Sequence, residues 1–122
     1  MGAINGVKDL LSKYPRYASA RSSQSVMIAD HIKESPYPVI LAGDFNEPPM
    51  SYTYRTLRKT LDDSFLDNGS GWGTTWIGGI PLLRIDYILY SSELTNTSFQ
   101  CLKTDLTDHY PVKASFTINH KE

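Results

Sequence analysis

A chain of 122 residues, 40% hydrophobic and 20% charged, has room for one domain with a core but not for two. Its 12 Lys and Arg against 13 Asp and Glu leave a net charge of −1, which excludes a broad electrostatic attraction for duplex nucleic acid but not a local basic patch. The single Cys101 excludes an internal disulfide framework, and no apolar run approaches the length of a membrane span.

Ile4, Val7, Leu10, Leu11 and Tyr14 recur at helical spacing until Pro15, which predicts a short amphipathic helix. A second helix is expected from Ser19 to Glu34, with Val26, Ala29 and Ile32 facing inward and Ser35-Pro36-Tyr37-Pro38 as its terminator. His31, like His120, has no motif around it and reads as a surface residue. The apolar run Val39-Ile40-Leu41-Ala42 predicts a strand that ends at Gly43-Asp44-Phe45-Asn46, where Glu47-Pro48-Pro49 forbids regular structure. A strand stopping there delivers an acid and an amide to a sheet edge. Ser51 then caps a helix through Tyr54, Leu57, Arg58 and Leu61, with Arg55, Arg58 and Lys59 at the spacing of a solvated face.

From Gly69 to Pro81 the chain is glycine-rich and reads as loop or short edge strand. Trp72, Trp76 and Tyr52 can stack a base or a sugar or hold a lipid tail, but aromatic residues beside glycine loops are more often packing anchors, and they are assigned to packing. Three β-like runs follow, Ile85 to Tyr90, Ser98 to Leu102 and Val112 to Ile118. The expected fold class is therefore α/β, a layered arrangement of sheet and helices.

Three short segments carry chemistry. Gly43-Asp44-Phe45-Asn46 ends the first strand, Arg84-Ile85-Asp86-Tyr87-Ile88-Leu89 puts an acid at the start of the next, and Thr107-Asp108-His109-Tyr110-Pro111-Val112 puts an acid and an imidazole before the last. Hydrolysis of a phosphate ester requires negative charge to be neutralised on several oxygens while water attacks. Asp44 and Asp108 can hold a hard divalent cation, Mg²⁺ or Mn²⁺, and Asn46 offers an uncharged donor to the phosphate or the attacking water. His109 is a donor to a phosphoryl oxygen, kept cationic by Asp86 from another strand. Asp108 and His109 are adjacent, and neighbours in extended chain point to opposite faces, so both reach one site only if the loop bends. Arg84 is the favoured substrate-binding cation, with a structural ion pair as its alternative. Each motif alone has a plainer reading: a turn at Asp44 to Asn46, a strand cap at Asp86, a surface imidazole at His109.

Taken in order, these segments resemble the C-terminal half of the endonuclease/exonuclease/phosphatase superfamily, the deoxyribonuclease I-like fold. Members read G-D-F-N, R-I-D-Y-I and S-D-H-Y-P-V, and here those are Gly43 to Asn46, Arg84 to Ile88 and, with Thr107 in place of Ser, Thr107 to Val112. Gly73-Thr74-Thr75-Trp76 and the helix ending in Ser35-Pro36-Tyr37-Pro38 are similar too, extending the match from about Arg21 to Ile118. The resemblance implies the C-terminal half of a four-layer α/β/β/α sandwich, one mixed sheet with flanking helices, with residues 1–122 as a single partial domain. It further implies a Mg²⁺-dependent phosphoesterase in which Asp44 activates water, Asn46 positions it, His109 with Asp86 binds the scissile phosphate, and Asp108 lies beside the metal.

The superfamily's first half, with its early Asn, its metal-binding Glu in a Q-E motif and a His before the central helix, has no counterpart here, and Glu47 is not a safe substitute. Two functions follow as alternatives: a metal-dependent phosphoesterase for which this chain carries the second half of the active site, or a catalytically incomplete fragment or interaction module. Either leaves a sheet face to be covered, by self-association or by a separately supplied N-terminal half. The substrate is a phosphate ester of open class, with nucleic acid not favoured by the charge. Neither the cysteine nor the composition assigns a compartment.

Overall fold

The computed structural model describes residues 20–77 and 83–119. The helix expected from Ile4 to Tyr14, the start of the second helix at Ser19, the glycine pair before Pro81, and His120 lie outside the described residues. Helix α1 (20–34) runs up to Ser35, whose amide closes the last turn on Ile32 O at 3.1 Å. Pro36 and Pro38 then release the chain into strand β1 (Ile40–Asp44). The inward stripe of α1 is Ser25, Ala29 and Ile32 rather than Val26, which is 40% exposed; Ser25 is tolerated inside because its hydroxyl is satisfied by Ser22 O at 2.7 Å.

Helix α2 (Tyr52–Arg58) starts where expected. Ser51 is its N-cap and its hydroxyl accepts from Tyr54 N at 3.1 Å. Two short elements were not legible in the sequence: strand β2 (Asp62–Asp63) and helix α3 (Ser64–Asn68), whose cap is the buried Asp63, accepting from Phe65 N at 3.0 Å. Strands β3 (Asp86–Tyr90), β4 (Leu94–Cys101) and β5 (Val112–Ile118) complete the chain, with β4 beginning earlier than the expected Ser98.

The α/β layering with flanking helices is as expected, but among the described residues the strands form two antiparallel ladders where one mixed sheet was expected. One has the order β1-β3-β2 and the other pairs β4 with β5. Within the first ladder β3 is the central strand, flanked by β1 and, over two residues, by β2. The ladders meet through side chains, Tyr90 against Phe116 with ring centroids 5.1 Å apart.

Alternation along β3 divides the central sheet. Tyr87 and Leu89 point to the helices and pack with Ala29, Tyr54, Leu57 and Leu61 into the core, with Leu41 and Phe45 at its margin. The register Asp44↔Asp86, Ala42↔Ile88, Ile40↔Tyr90 places the other set of side chains on the opposite face. The same alternation that builds the core therefore sets Asp44 and Asp86 side by side.

Candidate active site

Asp44 is the last residue of β1 and Asp86 the first of β3, directly opposite in register. His109 comes from the β4–β5 connection, held by its backbone bridge to Trp76. Its Nδ1 lies 2.8 Å from Asp86 Oδ2 and its Nε2 3.7 Å from Asp44 Oδ2. One ligand atom from each of these three residues falls within 4.8 Å of the others, at the mouth of a cleft of about 370 Å³ that also takes in Thr107 and Tyr110.

The cluster's electrostatics follow from its composition. Burial opposes charge on His109, but the hydrogen bond to Asp86 and the negative charges of Asp86, Asp44 and Asp108 outweigh it and raise its pKa above the usual imidazole value. Burial and the neighbouring Asp86 raise the Asp44 carboxyl, against the lowering effects of the Asn46 amide, His109 and Arg21. Two carboxylates facing one imidazole thus favour protons on the site, and by the same logic any other cation.

Asn46 adopts φ 54°, in the left-handed region that Asn tolerates better than most residues, and its amide donates to Asp44 Oδ1 at 2.8 Å. The segment is thus both a turn and the edge of a site, with the Asn46 side chain exposed. Asp108 does not enter the cluster. It is exposed, and its carbonyl accepts from Ile77 N at 2.8 Å. The carboxylate beside Asp44 is that of Asp86 instead.

Arg84, the substrate-binding candidate, makes the structural ion pair that was its alternative. It is 6% exposed, its Nη1 pairs with Asp63 Oδ2 at 2.7 Å, and the guanidinium stacks over Phe65, Tyr87 and Tyr54 at 4.7, 4.8 and 5.5 Å. Burial works against its charge, but the hydrogen bond and charge of Asp63 prevail and push its pKa up. The acid that claims it lies in β2, which has no periodicity to announce it. Packing also fails for two aromatics, since Trp72 is 79% and Tyr52 52% exposed. Trp76 is partly buried and bridges Leu83 and His109.

Two supporting residues were not identified as such from the sequence. Thr75 is buried; its Oγ1 accepts from Ile85 N and Asp86 N at 3.0 and 3.1 Å, and its carbonyl accepts from Tyr110 N at 2.7 Å. One residue thus ties the backbone at Asp86 to the backbone beside His109. Glu47 is 2% exposed and binds Arg21 Nε of α1 through Oε1 at 2.9 Å, while its carbonyl accepts from Tyr87 Oη at 2.7 Å. It anchors the loop after Asp44 to helix and strand, a structural use for an acid set aside as a metal ligand. The nearest sequence signal was the Thr-Thr pair between glycine and Trp76.

The chain belongs to the endonuclease/exonuclease/phosphatase family, whose model matches residues 6–109. It is 30% identical over 102 residues to a UPF0294 protein of Vibrio campbellii, covering 80% of this chain and 34% of that protein. Among solved structures it is similar to an endonuclease/exonuclease/phosphatase of Bacteroides vulgatus (TM-score 0.72, 24% identity, covering 83% of this chain and 45% of that one). It is also similar to the mannosyl-6-phosphatase of Bacteroides thetaiotaomicron (0.69, 21%, 82% and 46%) and to the catalytic domain of human Nocturnin with a bound sulfate anion (0.69, 23%, 84% and 43%). The chain thus spans about a third of the curated relative's length and under half of each of these structures.

Proposed function

We propose that this chain supplies the second half of the active site of a divalent-metal-dependent phosphoesterase. The observation that carries the reading is the Asp44, Asp86 and His109 cluster, which combines hard oxygen donors with an imidazole at one cleft. A protonated His109, held by Asp86 at 2.8 Å, donates to a phosphoryl oxygen. Asp44, beside it and partly exposed, takes a proton from water or holds the cation, and the exposed Asn46 orients the attacking water. Mg²⁺ or Mn²⁺ fits the donor set through Asp44 and Asp86, and when bound it neutralises phosphoryl charge and acidifies water. A relative that is a mannosyl-6-phosphatase and one that holds sulfate support an oxyanion as the recognised group.

A second reading, a catalytically incomplete fragment, rests on the sheet face that carries Asp44. On it Ile40 is 50% exposed and Ala42 is exposed, an uncovered apolar edge that self-association or an N-terminal half would bury. Calorimetric titration with Mn²⁺, using Asp44→Ala as control, tests the site. Binding lost in the variant supports a working metal site, and cleavage of bis(p-nitrophenyl) phosphate that is also lost supports the enzyme. Metal binding without cleavage, or cleavage restored only by an added N-terminal half, favours the fragment.

A further inference from the structure

Residues 75–77 run between two other segments as the middle of a short ladder. On one side Thr75 N and Trp76 N donate to Leu83 O at 3.0 and 3.2 Å; on the other Tyr110 N donates to Thr75 O at 2.7 Å and Ile77 N to Asp108 O at 2.8 Å. Backbone bridges pair Trp76 with both Leu83 and His109. The segment therefore joins the approach to β3, which carries Asp86, to the loop that carries His109.

Thr75 is 1% exposed. Its Oγ1 accepts from Ile85 N at 3.0 Å and from Asp86 N at 3.1 Å, at the point where β3 begins. Two successive amides on one oxygen pin the backbone from which the Asp86 side chain departs. The Ile85 carbonyl in turn accepts from Phe45 N at 2.8 Å, just past Asp44. One side chain is thus connected to the segments of all three cluster residues: to Asp86 directly, to Asp44 through Ile85 and Phe45, and to His109 through the Tyr110 amide.

Threonine suits this position for two reasons. Its hydroxyl oxygen has two lone pairs for the two amides, and its branched Cβ restricts χ1 so that the oxygen stays aimed at them. An apolar residue of the same shape would leave both buried amides without an acceptor, and the backbone would have to move to find one. Little movement is needed to matter. His109 Nδ1 lies 2.8 Å from Asp86 Oδ2, and a hydrogen bond is gone by about 3.6 Å, so a shift of about 0.8 Å at Asp86 breaks the pair.

We propose that Thr75 is a positioning residue of this site: its hydroxyl, acting through the Asp86 backbone, holds the Asp86 carboxylate against His109 and within reach of Asp44. Thr75 itself touches none of the three reactive side chains. Its consequence for catalysis rests on the phosphoesterase reading, which it deepens by naming what keeps the cluster assembled.

The test compares the parent chain with Thr75→Val, which keeps the shape and removes the acceptor, and Thr75→Ser, which keeps the acceptor. The imidazole ¹⁵N resonances of His109, assigned by their loss in His109→Gln, report the pair, and Asp86→Asn marks their position when it is broken. Calorimetric titration with Mn²⁺ reports the cluster. Leu61→Ala, a truncation within the core, controls for lost stability alone. Each chain is measured at a temperature where circular dichroism shows it folded. Thr75→Val should move the His109 resonances toward those of Asp86→Asn and weaken Mn²⁺ binding about 10- to 100-fold, the range for residues that support metal ligands. Thr75→Ser and Leu61→Ala should keep the parent resonances. Thr75→Ala carries the same expectation as Thr75→Val if the valine chain does not fold. Parent-like His109 resonances in the acceptor-free variant overturn the proposal, as does an equal shift in Leu61→Ala, and Thr75 is then only a core residue. A parent chain that binds no Mn²⁺ refutes the metal-dependent reading instead, while the His109 resonances still decide the role of Thr75.

Discussion

Replacing Asp63 by Asn tests whether Arg84 is a structural cation. Asp63 and Arg84 have side chains 0% and 7% exposed and pair at 2.7 Å; the other Asp63 oxygen caps α3, and Tyr54 Oη donates to the pair at 2.6 Å. Asn keeps the volume, but its one carbonyl oxygen can serve either the cap or the side facing Tyr54 and Arg84, and the guanidinium loses its counter-charge. Breaking a buried pair from one side costs about 3–5 kcal/mol, the range expected for Asp63→Asn. Asp63→Ala also forfeits the cap, about 1 kcal/mol, and leaves the Tyr54 hydroxyl unsatisfied, about 1–3 kcal/mol, though the losses overlap and do not add. Set against a total stability of about 5–15 kcal/mol, either change should lower the urea midpoint visibly by circular dichroism. The double variant Asp63→Leu with Arg84→Met should recover part of the loss, because it removes both charges together. A loss under about 1 kcal/mol for Asp63→Asn, the scale of a surface ion pair, would refute the assignment and return Arg84 to the substrate candidates.

The stability that His109 contributes should fall as pH rises above 6.5 toward its folded pKa. The folded His109 has a pKa above its ordinary 6.5, so the native chain binds more protons than the unfolded one; the stabilisation is fully present below 6.5 and is lost as pH passes the folded value. The raised Asp44 carboxyl acts with the same sign just above its ordinary 3.8. An NMR titration of His109 in Asp86→Asn should show its pKa lowered, and an unchanged value would mean that Asp86 does not sustain the charge. Gly73→Ala should cost about 1–2 kcal/mol from the left-handed backbone alone, with a further penalty from the 2.7 Å approach to Phe65, read as a lower thermal midpoint; a midpoint equal to that of the parent chain would show the turn to be free to adjust.

The chemistry of this site was legible early because it sits where regular structure stops. An apolar run broken by Gly43-Asp44-Phe45-Asn46 and two prolines determines a strand end with an acid on it, and Asp86 at the start of another apolar run determines a second. Such patterns are local, written in alternation and in residues with fixed backbone demands. The helix capped by Ser51 and the last strand, Val112–Ile118, were readable for the same reason.

What the tertiary structure decided is which side chains share a neighbour. Register put Asp86, not Asp108, next to Asp44. A two-residue strand without periodicity of its own supplied Asp63 and so withdrew Arg84 from the surface. Thr75 and Glu47 acquired their supporting roles only through partners distant along the chain, at Asp86, Tyr110 and Arg21. Residue type and spacing state what a group is able to do; burial and pairing across the fold decide which groups are left free to do it.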